Sequence, residues 1–142
     1  VLGHNSMIEY SEKYPYNIRP KAAAERLEIG NINLLGIAGL TASVKILNSV
    51  GIDAIESRVL SLTDLIEKGL LKKGYEIQSP RERQKEKSGI LAFLPKSLSA
   101  AELTIHLASK GVLVAPRTSL VRAAPHFYNS EDEVQLLIKA LP

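Results

Sequence analysis

Leu120-Val121-Arg122-Ala123-Ala124-Pro125-His126-Phe127-Tyr128-Asn129 is a short apolar stretch that carries one cation and runs straight into a helix start. It reads as a strand from which Arg122 projects. A guanidinium held on a strand presents a planar fork of donors, which fits a carboxylate through two parallel hydrogen bonds. Downstream, Asn129 caps a last helix with Glu131, Asp132 and Glu133 in its first turn, where the helix dipole favours negative charge. Val134, Leu137, Ile138 and Leu141 give that helix an inner face.

Working back from Arg122, Val112-Leu113-Val114-Ala115 reads as another strand. Before it, Ser99 and Glu102 form a capping box ahead of Leu103 and Leu107, and Gly111 closes that helix. Gly89–Leu94 is a buried strand by its continuous apolar run, and Glu76-Ile77-Gln78 starts a shorter one. A long helix spans Asp53–Lys73 with the stripe Ile55, Val59, Leu62, Ile66 and Leu70, and Gly74 ends it. An earlier helix is capped by Asn33, shows Ile37, Leu40, Val44 and Leu47 at helical spacing, and stops at Gly51. Gly36 and Gly39 weaken its first turns, which suits a site where another backbone comes close. Arg26–Asn31 forms a short strand in this reading. The residues before it, with Pro15 and Pro20 among alternating tyrosines, read as extended chain needing another surface. The order is helix, helix, strand, strand, helix, strand, strand, helix. The fold class is α+β: helices covering one face of a small, mostly antiparallel sheet.

Bulk composition removes several functions. The chain of 142 residues is long enough for one domain with a core. No apolar run approaches the roughly 20 residues that span a bilayer, so no membrane partner is expected. Cysteine is absent, which excludes disulfides, thiolate metal sites and a thiol nucleophile in this chain and is consistent with a cytoplasmic location. The net charge is +3, but the densest basic run, Arg81–Lys87, is interrupted by Glu82 and Glu86 and contains no aromatic residue. It reads as a solvated, mobile loop rather than a nucleic-acid surface. Three dispersed histidines give no metal-site pattern. The first residue is Val, so the chain is expected to be processed or a piece of a longer one.

Two blocks resemble class V pyridoxal-phosphate (PLP) enzymes, the aminotransferase-like group that includes cysteine desulfurases and isopenicillin epimerase. Val121-Arg122-Ala123-Ala124-Pro125-His126-Phe127-Tyr128-Asn129 is similar to the family's Arg-x-Ser-Pro-His-Phe-Tyr-Asn, with Ala124 in place of Ser. Arg26-Leu27-Glu28-Ile29-Gly30-Asn31-Ile32-Asn33 is similar to its Arg-Phe-Glu-x-Gly-Thr-x-Asn, with Asn31 in place of Thr. The resemblance covers the family's C-terminal third. It implies that residues 1–50 are an extended segment and helix from the end of the large PLP-binding domain, and that residues 51–142 are the small C-terminal domain.

By that resemblance, Arg122 grips the α-carboxylate of an amino acid or 2-oxo acid substrate. Gly30 and Asn31 lie near the cofactor phosphate of the neighbouring subunit in a homodimer. The Schiff-base lysine and the Asp that pairs with the pyridine nitrogen belong upstream. Lys45, Lys68, Lys72, Lys73, Lys110 and Lys139 all read as solvated, so the chain holds no catalytic residue and is expected to be inactive alone. Relatives that release sulfur use a cysteine on the loop before the Arg strand. Here that loop is Pro116-Arg117-Thr118-Ser119, which leaves transamination as the favoured chemistry over epimerisation or lyase reactions.

Plainer roles stand beside these. Arg122 is also readable as a strand residue whose head reaches water. Arg117 is a runner-up, either facing a side-chain carboxylate of the substrate or lying in solvent. His126 suits a structural hydrogen bond better than proton transfer, His106 a polar helix flank, and Tyr128 a ring packed under the last helix. The competing function is a stand-alone, non-catalytic α+β binding or assembly module.

Overall fold

The computed structural model describes residues 19–28 and 30–142. The reading of residues 1–18 as extended chain therefore lies outside the described residues. The chain divides into two compact units, Val1–Ile46 and Leu47–Pro142.

In the first unit, Ala23–Leu27 is a 3₁₀ turn and not part of a strand, which corrects the strand placed at Arg26–Asn31. The Glu28 N–H closes back on Glu25 O at 3.1 Å, so that backbone is committed to a turn; Ile29 lies outside the described residues. Helix α1 (Leu34–Val50) starts where its cap places it, with Asn33 Oδ1 accepting from Gly36 N at 2.9 Å. That bond also explains Gly36: a Cβ there would sit 2.5 Å from the Asn33 amide nitrogen. None of the side chains of α1 is buried. Leu35 is 88% exposed and Leu40 64%. A helix apolar around most of its girth is ordinarily covered.

Gly51 ends α1 with a φ of +92°. Helix α2 (Ile52–Lys72) then buries Leu62, Ile66 and Leu70 of the expected stripe together with Thr63, while Ile55 and Val59 are half-buried. Gly74 (φ +73°) terminates it, with Tyr75 N returning to Leu70 O at 2.9 Å. Three short strands follow: β1 (Leu91–Phe93), β2 (Ala115–Arg117) and β3 (Leu120–Ala123). They form one antiparallel sheet in the order β1-β3-β2. Helix α3 (Ala100–Ser109) lies between β1 and β2 in sequence, and α4 (Glu131–Ala140) follows β3. The α+β class with a small antiparallel sheet is the architecture observed.

The core gathers α2, α3 and α4 on one face of that sheet: Leu62, Ile66 and Leu70 meet Leu91, Phe93, Leu103, Leu107, Val121, Ala123, Val134, Leu137 and Leu141. Tyr75 packs edge-on to Phe93, with centroids 5.6 Å apart, and its hydroxyl donates to Pro142 O at 3.1 Å. Burial pushes the Tyr75 phenol above its ordinary range. Helices α2 and α4 approach closely at Gly69, where a Cβ would lie 2.5 Å from the Ile138 side chain.

Four further features, all in the second unit, differ from the sequence reading. The strand at Val112–Ala115 begins later, at Ala115. Val112 N is still bonded to Leu107 O at 3.0 Å, so this stretch belongs to the cap of α3 and its N–H is unavailable to a ladder. Glu76–Gln78 makes only a bridge, Ile77 opposite Phe93. The cap of α4 is Ser130, whose Oγ accepts from Glu133 N at 3.2 Å, and not Asn129. The loop Arg81–Lys87 is anchored, because Arg81 is 7% exposed. Its Nε donates to Glu67 Oε2 at 2.9 Å, and its Nη2 to Asp64 Oδ1 at 2.5 Å and Thr63 Oγ1 at 3.2 Å. Lys87 Nζ adds a 2.9 Å bond to Asp64.

Candidate substrate-binding site

Arg122 occupies the central strand, opposite Ala92 on β1 and Ala115 on β2. Its neighbours Val121 and Ala123 point into the core and are buried, so strand alternation puts Arg122 on the opposite face. The residue is half-buried. Its Nε is enclosed and has no hydrogen-bond partner within the described residues. An enclosed N–H of a permanent cation without an acceptor is costly, and a carboxylate is the natural group to satisfy it.

The segment after β3 is rigid for local reasons. Asn129 Oδ1 accepts from His126 N at 2.8 Å, and Asn129 N donates to His126 O at 3.0 Å, closing a tight turn. This is why Asn129 is not the helix cap: its side chain is already used one turn earlier. Arg58 of α2 reaches the same turn, donating from Nη2 to Asn129 O at 3.1 Å and from Nη1 to Glu131 at 3.2 Å. The ring of His126 stacks on Tyr128 (4.9 Å, 18° between planes) and meets Phe127 edge-on at 4.8 Å. Tyr128 is therefore exposed on the His126 ring and does not pack under α4. His126 Nδ1 is a second enclosed polar atom with no partner among the described residues.

Arg117 ends β2, so it is a strand residue and not part of the loop assigned to it. It is exposed, and its one side-chain hydrogen bond within the described residues runs from Nη1 to Pro116 O at 3.0 Å. His106 is not a free surface residue. Its Nε2 donates to Ala140 O at 3.0 Å, tying α3 to the end of α4. Arg58 and Arg81 are the positioning cations that the sequence did not disclose. Their carboxylate partners lie 14 to 73 residues away along the chain. A separate cleft of about 340 Å³ runs along Val112, Ala123, Pro125, Val134 and Leu137 on the core side, and Arg122 is not part of its lining.

Among the described residues no three His, Asp or Glu side chains cluster as a metal set, and no single helix is long and apolar enough to cross a membrane. Gly30 adopts a φ of +112°, and Asn31 follows it, exposed, just before the amino end of α1.

The chain as a whole has counterparts among known proteins. A family profile described as "Aminotransferase class-V" matches residues 5–137. The chain belongs to this family, whose members depend on PLP. It is 26% identical over 112 residues to the uncharacterized aminotransferase YcbU of Bacillus subtilis, covering 79% of this chain and 29% of that protein. It is 28% identical over 130 residues to a probable cysteine desulfurase of Pyrococcus abyssi, covering 82% and 32%. The apo structure of a cysteine desulfurase from Thermococcus onnurineus superposes with a TM-score of 0.80 at 24% identity, covering 98% of this chain and 37% of that one, a likeness of fold. The chain thus spans about a third of the length of the relatives it matches.

The residues present fit one end of PLP. The exposed Asn31 side-chain amide is a donor suited to a phosphate, whereas at the amino end of α1 the Leu34 and Gly36 N–H groups are already bonded to Ile32 O and Asn33 Oδ1. They do not fit the aldehyde end. No lysine among the described residues is buried, and Lys73 and Lys87 are engaged with Leu141 O and Asp64.

Proposed function

We propose that this chain is the substrate-gripping, C-terminal portion of a class V PLP enzyme of the aminotransferase type. In this reading Arg122 holds the α-carboxylate of an amino acid or 2-oxo acid. The observation that carries it is the enclosed Arg122 Nε without an acceptor on a strand paired from both sides. Bound PLP supplies the electron sink for chemistry at Cα. The groups of this chain bind and orient: Arg122 fixes the carboxylate, the Asn129-closed turn and Arg58 hold the segment beyond it, and closure of the lobe excludes water. Gly30 and Asn31 are assigned to the phosphate, contributed to the neighbouring subunit of a cytoplasmic homodimer. The Schiff-base lysine belongs to the part of the family's length that this chain does not match, so the chain alone turns over nothing. It brings no thiol, which favours transamination over desulfuration by a cysteine of this segment.

The test is Arg122→Gln in the complete, PLP-loaded enzyme. Loss of a charge-assisted hydrogen bond should lower kcat/KM for amino acids by about 10- to 100-fold, equivalent to about 1.5–3 kcal/mol. An amine lacking the α-carboxylate should be indifferent to the change. Unaltered KM and turnover for amino acids would reject the role.

A further inference from the structure

The β2–β3 hairpin brings a second guanidinium onto the face that carries Arg122. Arg117 is directly opposite Leu120, and Ala115 directly opposite Arg122. Opposed residues share a face, and every second residue along a strand returns to it. Arg117, Leu120, Arg122, Ala115 and Ala92 therefore line one face, while Leu91, Phe93, Val121 and Ala123 line the buried one. Arg117 and Arg122 are diagonal neighbours, a relation that separates residues by about 7–8 Å. Like charges this close repel. Among the described residues neither is relieved by an Asp or Glu, whereas Arg58, Arg81, Arg83 and Lys87 each have such a partner. The connecting turn has only two residues, and Thr118 takes a φ of +53°, a conformation a β-branched residue rarely adopts. That short turn keeps Arg117 on the ladder. Leu120, half-buried between the two cations, gives the face an apolar floor.

We propose that this face selects dicarboxylic substrates. Arg122 takes the α-carboxylate, Arg117 takes the side-chain carboxylate, and the intervening methylenes lie over Leu120. The preferred substrates are then amino acids of the aspartate and glutamate class and their 2-oxo acids. The inference rests on the assignment of Arg122 above and adds the second cation to it.

The test compares glutamate with norvaline, which replaces the side-chain carboxylate by a methyl group, and aspartate with 2-aminobutyrate, in the complete PLP-loaded enzyme. Titration calorimetry with glutarate and valerate gives a readout independent of turnover. The dicarboxylate should win in at least one kcat/KM pair, and glutarate should bind more tightly than valerate, each by about 30-fold, as for a charge-assisted pair. Arg117→Gln should bring both ratios to about one. Arg122→Gln should lower kcat/KM for both members of a pair. If Arg122→Gln acts this way but the wild-type ratios are already near one, or Arg117→Gln leaves them unchanged, the dicarboxylate assignment falls and the Arg122 assignment stands. If Arg122→Gln affects neither substrate, both fall together.

Discussion

Arg81→Met should destabilise the chain by about 2–3 kcal/mol, a value that follows from the solvent exposure of each partner. The Arg81 side chain is 3% exposed and donates to two carboxylates and the fully buried Thr63 hydroxyl. Breaking a wholly buried ion pair costs about 3–5 kcal/mol, because the abandoned charge stays in a poor solvent. Here the abandoned groups sit at the water's edge, the Asp64 and Glu67 side chains being 35% and 24% exposed. Asp64 also keeps Lys87, and the Thr63 hydroxyl keeps Leu60 O at 3.0 Å. Partial rehydration therefore places the cost below the fully buried range.

The midpoint of thermal unfolding followed by circular dichroism should fall by about 10 °C for a chain of this size. Acid adds a second arm. Desolvation raises the Asp64 carboxyl, but hydrogen bonds from Lys87 and Arg81 and the attraction of both charges outweigh it, leaving the group below the usual carboxylate range. A depressed folded-state value contributes stability that is complete above the unfolded value, near pH 4, and lost as pH falls through the folded one. The deficit of Arg81→Met should therefore be constant at neutral pH and shrink below about pH 4. A midpoint within about 2 °C of the parent chain, or a deficit indifferent to acid, would refute the reasoning.

Gly69→Ala pits helix propensity against packing. Alanine gains about 1 kcal/mol in an open helix, but its Cβ would meet the Ile138 side chain at 2.5 Å, so a net loss of about 1–2 kcal/mol in urea denaturation is expected. Adding Ile138→Ala should recover part of that loss, and a stabilised single variant would show the contact to be soft. Ser99→Ala and Ser130→Ala should each cost about 1 kcal/mol by the same measurement, since each removes a helix cap. Backbone hydrogen bonds from Ser99 and Ser130 lower the Glu102 and Glu133 carboxyls. Their support should be full at neutral pH and fade in acid below the ordinary glutamate range, a trend that carboxyl chemical shifts would follow.

Much of the fold was legible because local signals agreed with tertiary ones. The Asn33 cap, the Ser99–Glu102 box, the α2 stripe and the Arg122 strand each rest on residues within a few positions of one another. The failures came where distant groups decided. The Arg81 loop looked solvated because its charges alternate, and nothing local announces that Asp64 and Glu67 wait a helix turn apart on α2. Val112–Val114 had the composition of a strand, but the cap of α3 took its leading N–H. Asn129 and Ser130 are both good caps in isolation, and the choice fell to Ser130 once Asn129 was engaged by His126. At the candidate site, Arg122 was visible as a lone cation among apolar residues. The facing of Arg117 was not, because it depends on hairpin register.

The sheet order β1-β3-β2 gives the two arginines unequal freedom. Arg122 inherits its position from a backbone clamped on both sides, so drift in that strand would disturb the whole core before it retuned the grip. Arg117 sits on a border strand whose outer edge pairs with no further strand among the described residues. Under the proposed roles, divergence among relatives should accordingly rewrite the border and spare the middle: a constant handle for the shared carboxylate, beside a replaceable one for the side chain.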